Sequence, residues 1–227
     1  MKLIATKLAD LFLIAPKKYK DDRGYFLESY KRDFLCEQGI NIDFIQDNLS
    51  YSTKNVLRGL HLQKSPYAQT KLVRCLQGNI FDVAIDLRPS SPSFGAWVGY
   101  NLNDDNCYAL LIPQGFAHGF YVTSDYALVA YKVDNPYQPQ HELTVIYNDP
   151  KINIAWPGEN FIISDKDKQG MCLDDILTSW AVNYKQYSIE HTNKPNWNTI
   201  NLRIFLHNGQ LKLKCSDKNF TSWANLP

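Results

Sequence analysis

The sequence has no charge excess of either sign: 24 Lys and Arg stand against 23 Asp and Glu in 227 residues. That balance offers no overall attraction to nucleic acid or an anionic membrane, although a local basic patch can still hold a phosphate. Cysteine is sparse and unpaired in pattern. Cys36, Cys75, Cys107, Cys172 and Cys215 are odd in number, scattered, and in no CxxC pair. A disulfide framework and a structural zinc site are not expected, and a reducing cytoplasm fits. No apolar run approaches the ~18 residues of a membrane span. The opening "MKLIATKLADLFLIAP" is interrupted by Lys7 and Asp10, and no small-residue cleavage site follows, so no signal peptide is expected. Repeats and low-complexity tracts are lacking.

Helical signal is scarce as well. Residues 31–38 predict one short helix ending at Gly39, and Ser164 is placed to cap another that starts "DKDK". Most other segments are short, alternating or β-branched and aromatic, and bounded by Gly, Pro, Asn and Asp. Strands are predicted near 11–15, 24–30, 56–63, 69–76, 79–87, 96–102, 108–112, 117–123 and 126–133. "GN" at 78–79 reads as a tight turn between two of them. In "IFDVAIDL", Phe81, Val83, Ile85 and Leu87 share one face and Asp82 and Asp86 the other. Many short strands and few helices predict a mainly β fold, an antiparallel sandwich or jelly-roll barrel. Near the end, "TINLRIFLHNGQLKLKCS" predicts an extra β-hairpin over about 200–215, with Asn208-Gly209 as a type I′ turn.

"VLRGLHLQ" (56–63) sets Arg58 and His61 inside an apolar strand. Lys71 in "AQTKLVR", His118 in "PQGFAH" and Tyr131 in "AYKV" are likewise polar groups embedded in strands. Buried charge is costly unless paired or used. Five such residues converging in one barrel would form an anion-binding, proton-transferring cavity. A metal site is disfavoured, because "GLHLQ" lacks the second His of an HxH pair and its companion Glu. Strict alternation puts Arg58 and His61 on opposite faces, and Gly59 between them is where a bulge could re-aim both.

The segments "DDRGYFLESY" (21–30), "FIQDNLS" (44–50), "VLRGLHLQ", "AQTKLVRCLQGNIFDVAIDLR" (68–88), "SPSFGAWVGYNL" (91–102), "IPQGFAHGFYV" (112–122) and "YNDPKINIAWP" (147–157) occur in order. Together they closely resemble the dTDP-4-dehydrorhamnose 3,5-epimerase family of the rhamnose pathway. The resemblance implies a cupin-like jelly roll over residues 1–178, with 179–227 a C-terminal extension of unknown role. It implies an isomerase acting on a nucleotide-linked 4-keto-6-deoxy sugar without cofactor or metal. His61 would be the base, Asp167 its carboxylate partner, Tyr131 the general acid, and Lys71 the stabiliser of the enolate oxygen. Arg23, Glu28, Gln46, Asp47, Asn48, Arg58, His118, Glu142 and Lys166 fall where the family binds substrate, and Tyr137 where a tyrosine stacks on the base. A cytoplasmic homodimer exchanging N-terminal strands is implied, with no nucleic-acid or membrane partner.

The sequence departs from the family pattern at Leu49, Leu62, Tyr108, Leu111 and Leu128, changes expected to alter pocket walls and supporting shells. Three readings therefore stand beside one another: a 3,5-epimerase, a single-centre epimerase or 3,4-ketoisomerase on a related sugar nucleotide, and a non-catalytic binding module.

Overall fold

A computed structural model describes residues 1–185, 202–207 and 210–215, with side chains through residue 179. Residues 1–176 and 177–227 form two compact units. The first holds eleven strands, two short α-helices and one 3₁₀ turn, and thirteen-residue α3 (Leu173–Lys185) begins at its end.

Two long strands carry the first unit. β7 (Lys71–Asp86) and β10 (Phe116–Val133) run antiparallel, with Lys71 opposite Val133 and Asp86 opposite Phe116. The start of β7 pairs with β9 (Ala109–Ile112), which pairs with β2 (Phe12–Ala15) and, through it, β1 (Lys2–Ala5). The end of β10 pairs with β5 (Gln46–Thr53). The other halves pair with different neighbours: β7 with β8 (Trp97–Asn103), and β10 with β6 (Leu57–Gln63), which carries β11 (Glu142–Thr144). The two strands thus pass from one layer of a jelly roll into the other. The apolar core between the layers draws Val73, Leu110 and Val129 from one and Ile80, Leu102 and Phe120 from the other. This is the expected mainly β, cupin-like jelly roll.

The Gly78-Asn79 turn is not formed. Gly78 lies within β7, at φ +80°, and a Cβ there would meet the Tyr126 carbonyl at 2.1 Å. The register of β7 against β10 shifts at the same level, between Val122 and Ala127. What reads as a turn residue is a bend in a continuous strand, because the partner strand bends beside it. The predicted pairs 69–76/79–87 and 117–123/126–133 are accordingly one strand each.

The alternation in "IFDVAIDL" is real, but both faces are buried: Asp82 and Asp86 are fully inaccessible. Asp86 is satisfied by Arg88, Ser91 and Ser93. Asp82 sits on the inner face beside Ile80 and Ala84 of the core.

The short helices follow their sequence signals. α1 (Arg32–Glu37) ends at Gly39, φ +78°, and packs Leu35 on the outer face of the first layer. In α2 (Asp165–Lys168) the Ser164 hydroxyl accepts from the Asp167 N–H at 3.1 Å. A separate hairpin of β3 (Lys18–Asp21) and β4 (Gly24–Leu27) exposes Tyr19, Tyr25 and Phe26. In the second unit β12 (Leu202–His207) and β13 (Gln210–Cys215) pair antiparallel, from Leu202 opposite Cys215 to His207 opposite Gln210. The proposed turn residues 208–209 lie outside the described residues. No helix among the described residues is long and apolar enough to cross a membrane.

Candidate active site

A cavity of about 560 Å³ opens between β6, β7, β10 and the segment leading into α2. Arg58, His61, Lys71, His118, Tyr131, Lys166 and Asp167 all line it. The five strand-embedded polar residues singled out in the sequence therefore meet at one place. Arg58 and His61 share the cavity because β6 does not alternate regularly. His118 pairs with His61, but Phe120 pairs with Arg58, a shift in register centred on Gly59. Gly59 has φ +116°, and a Cβ there would come 2.6 Å from the Gly119 Cα. Only glycine lets the two strands approach this closely.

His61 is 30% exposed, and its Nε2 lies 2.7 Å from Asp167 Oδ1. The carboxylate can only accept when ionised, so Nε2 carries the proton and Nδ1 is left to the cavity. Asp167 is held from two further directions: Gly59 N–H donates to its Oδ2 at 3.2 Å, and its own N–H is fixed by Ser164. Burial raises the Asp167 carboxyl, but the bond and charge of His61 and the Gly59 N–H outweigh it, leaving the group below its ordinary 3.8. Glu142 stands 4.0 Å from His61 Nδ1. It accepts from Tyr137 Oη at 2.6 Å and from Lys166 Nζ at 2.5 Å. Its burial is likewise outweighed, first by the Lys166 bond, and the carboxyl lies below its usual range.

Lys71 is buried, and its ammonium donates to the His61 carbonyl at 3.2 Å. Burial pulls it down from 10.5 to about 8, against the opposing charges of Glu142 and Asp82. Burial raises the Tyr131 phenol above its ordinary 10, only partly offset by Arg58, so it is a neutral proton donor at pH 7. Arg58 is aimed by Ser52, whose hydroxyl accepts from Nε at 2.8 Å. The cavity thus holds a histidine with one nitrogen anchored, a neutral phenol, a buried ammonium and a guanidinium. These are the parts for moving a proton on and off carbon beside a carbonyl while holding an anion.

The remaining expected residues divide. Glu142 and Tyr137 join the cavity through Lys166. Asp47 and Asn48 line a second cavity of about 220 Å³, which Tyr131 also lines, and Gln46 donates to Asn48 at 2.7 Å. Arg23 and Glu28 line neither cavity; Arg23 pairs with Asp21 at the hairpin tip and Glu28 with Lys31. Of the five departures, only Leu49 lines a cavity, the smaller one. Leu62 and Leu111 are buried, Tyr108 packs on the core, and Leu128 pairs across to Tyr51. Leu49 is thus the one of the five in a cavity wall, and the others stand behind the walls.

Sequence reasoning passed over Asp82, whose Oδ1 lies 2.7 Å from His118 Nε2. Its signal was an acid on the same strand face as Ile80 and Ala84.

Residues 5–175 match the family model for dTDP-4-dehydrorhamnose 3,5-epimerase. The enzyme of that name from Shigella flexneri is 50% identical over 171 residues, covering 75% of this chain and 94% of the relative. The one from Escherichia coli is 48% identical over 179 residues, covering 78% and 97%. Among solved structures, the dTDP-6-deoxy-D-glucose-3,5-epimerase of Legionella pneumophila in complex with dTDP-4-keto-L-rhamnose is 47% identical. It superposes with a TM-score of 0.74, covering 76% of this chain and 93% of that one. The chain belongs to the dTDP-4-dehydrorhamnose 3,5-epimerase family, and is an isomerase.

Proposed function

We propose that the protein inverts C3 and C5 of dTDP-4-keto-6-deoxyglucose by proton transfer through an enolate, without cofactor. The observation that carries this reading is the 2.7 Å bond between His61 and Asp167 in one cavity with Lys71 and Tyr131. His61 Nδ1 removes the proton α to the C4 ketone, and the ionised Asp167 stabilises the imidazolium that results. The Lys71 ammonium stabilises the oxyanion as the enolate forms. Tyr131 returns a proton to the opposite face of the ring, which makes the exchange an inversion. Arg58 and Lys166 hold the diphosphate end, for which a guanidinium's planar donor set is suited, and His118 accepts from a hydroxyl of the sugar. Gln46, Asp47, Asn48, Tyr137 and Glu142 complete the substrate contacts. Arg23 and Glu28 act in the neighbouring subunit of a homodimer, a reading supported by their lining neither cavity of their own chain. The relatives' names, and the keto-rhamnose nucleotide bound by the Legionella enzyme, support the choice of substrate.

The catalytic domain in this reading spans residues 1–178, and residues 179–227 are an extension. Incubating the protein with dTDP-4-keto-6-deoxyglucose in D₂O and following the sugar by NMR tests the reading. Deuterium and inversion at both C3 and C5 are expected. Exchange at one carbon alone would assign a single-centre epimerase, and unchanged substrate would contradict the proposal.

A further inference from the structure

His118 lines the cavity directly across the strand pair from His61, and it has its own carboxylate behind it. Asp82 Oδ1 lies 2.7 Å from His118 Nε2. The Asp82 side chain is fully inaccessible and that of His118 is 9% exposed. The other oxygen, Asp82 Oδ2, is buried and has no hydrogen-bond partner among the described residues. The charge of Asp82 also acts on the buried Lys71 ammonium, but its hydrogen bond goes to His118 alone among the described residues. Its neighbours on the inner face of β7 are Ile80 and Ala84, and the strand opposite presents Phe120. A carboxylate with one oxygen unsatisfied is a costly occupant of such a place, and its one bond goes to a residue of the cavity wall.

We propose that Asp82 is a positioning residue for substrate binding, which fixes the His118 ring with Nε2–H bound behind and Nδ1 left to meet the ligand. The physical basis is the one that orients a histidine on a carboxylate anywhere: a group that only accepts determines which ring nitrogen carries the proton and clamps the ring's rotation. His118 Nδ1 has no hydrogen bond among the described residues, so it is the nitrogen left to accept from a hydroxyl of the sugar, a bond that a proton on Nδ1 would forbid. The inference rests on the proposed substrate for its kinetic part alone; the state of the His118 ring is independent of it.

The test joins a spectroscopic and a kinetic measurement on the full chain. In ¹⁵N NMR of the wild-type imidazoles, with His118 assigned by its disappearance in His118→Gln, the proton is expected on Nε2. A proton carried by Nδ1 with Nε2 bare would overturn the proposal without needing any variant. In Asp82→Asn the side-chain amide can donate to Nε2 instead, and the His118 proton is expected to shift to Nδ1. The value of kcat/KM is then expected to fall about 10–100-fold, mostly through KM. The double variant Asp82→Asn/His118→Gln is expected to be no worse than His118→Gln alone. Losses that multiply in the double variant, or a lowered melting temperature with the His118 ring unchanged, would make Asp82 a structural residue only. Inactivity of the wild type with the expected His118 ring state would defeat the epimerase reading and leave the positioning of His118 standing.

Discussion

Two histidine–carboxylate pairs, His61–Asp167 and His118–Asp82, face one cavity at the same 2.7 Å, and their surroundings differ. Asp167 comes from a capped helical turn, accepts a second bond from the Gly59 N–H, and presents a histidine that is 30% exposed. Asp82 comes from mid-strand, has one oxygen unpartnered among the described residues, and supports a histidine that is 9% exposed. Identical bond lengths therefore do not imply identical work. A base must reach the substrate proton and have its cationic form stabilised, which the first pair provides. The second pair is walled in and fixed, which suits holding a ligand. The contrast follows from how the carboxylates are delivered: a short helical turn sets Asp167 against the Gly59 N–H that the irregular β6 leaves free to donate, whereas Asp82, within a paired strand, reaches only what lies across the sheet.

Removing the first pair should cost the most. His61→Ala is expected to lower kcat by about 10⁴-fold with nucleotide affinity within a few-fold, as read by steady-state kinetics and calorimetry with dTDP. Comparable losses in His118→Gln would erase the distinction between the pairs. Asp167→Asn keeps the shape and spoils the proton placement on His61, and should cost about 10³-fold in kcat. This variant also has a stability signature. The folded carboxyl titrates below its ordinary 3.8, so the stability it contributes is complete above that pH and is lost as pH falls through the folded value. The gap in unfolding free energy between wild type and Asp167→Asn should thus be widest near neutrality and close in acid; a gap that stays constant down to pH 3 would sink the claim.

Lys71 separates function from stability. Its ammonium titrates near 8 in the fold and 10.5 outside it, so the folded state binds fewer protons between those values and stability rises with pH across that window. Lys71→Met should lower kcat about 10²-fold yet abolish that rise, as denaturant midpoints at pH 7 and 10 would show. A smaller and purely mechanical effect is expected at the strand crossing. Gly59→Ala puts a Cβ 2.6 Å from the Gly119 backbone at φ +116° and should cost about 2–3 kcal/mol in urea unfolding. Leu49→His should matter least. The side chain is 63% exposed on the rim of the smaller cavity, and stability should stay within about 0.5 kcal/mol.

Much of this was legible in the sequence, and the failures have common causes. Polar residues in apolar strands pointed to His61, Lys71, His118 and Tyr131, because burial of such groups needs a reason. Ser164 marked the turn that carries Asp167. Gly78 misled, since a glycine at positive φ suits a turn and a strand bend equally, and the partner strand that decides between them lies some fifty residues away. Asp82 was hidden for a related reason: alternation gives two faces but not which one is solvated, and in a two-layer barrel neither is. Arg58 and His61 meet through a register shift that no spacing rule encodes, although Gly59 marked the place. Arg23 and Glu28 line neither cavity of the single chain, and no pattern of the sequence separates them from the residues that do.

The central claim is that His61 removes the proton and Tyr131 supplies its replacement from the other face. Tyr131→Phe and His61→Ala, each incubated with dTDP-4-keto-6-deoxyglucose in D₂O and followed by NMR, test it together. The account predicts that Tyr131→Phe still exchanges the ring proton for deuterium with configuration retained, and that His61→Ala neither exchanges nor inverts. Exchange surviving in His61→Ala at the wild-type rate would contradict it.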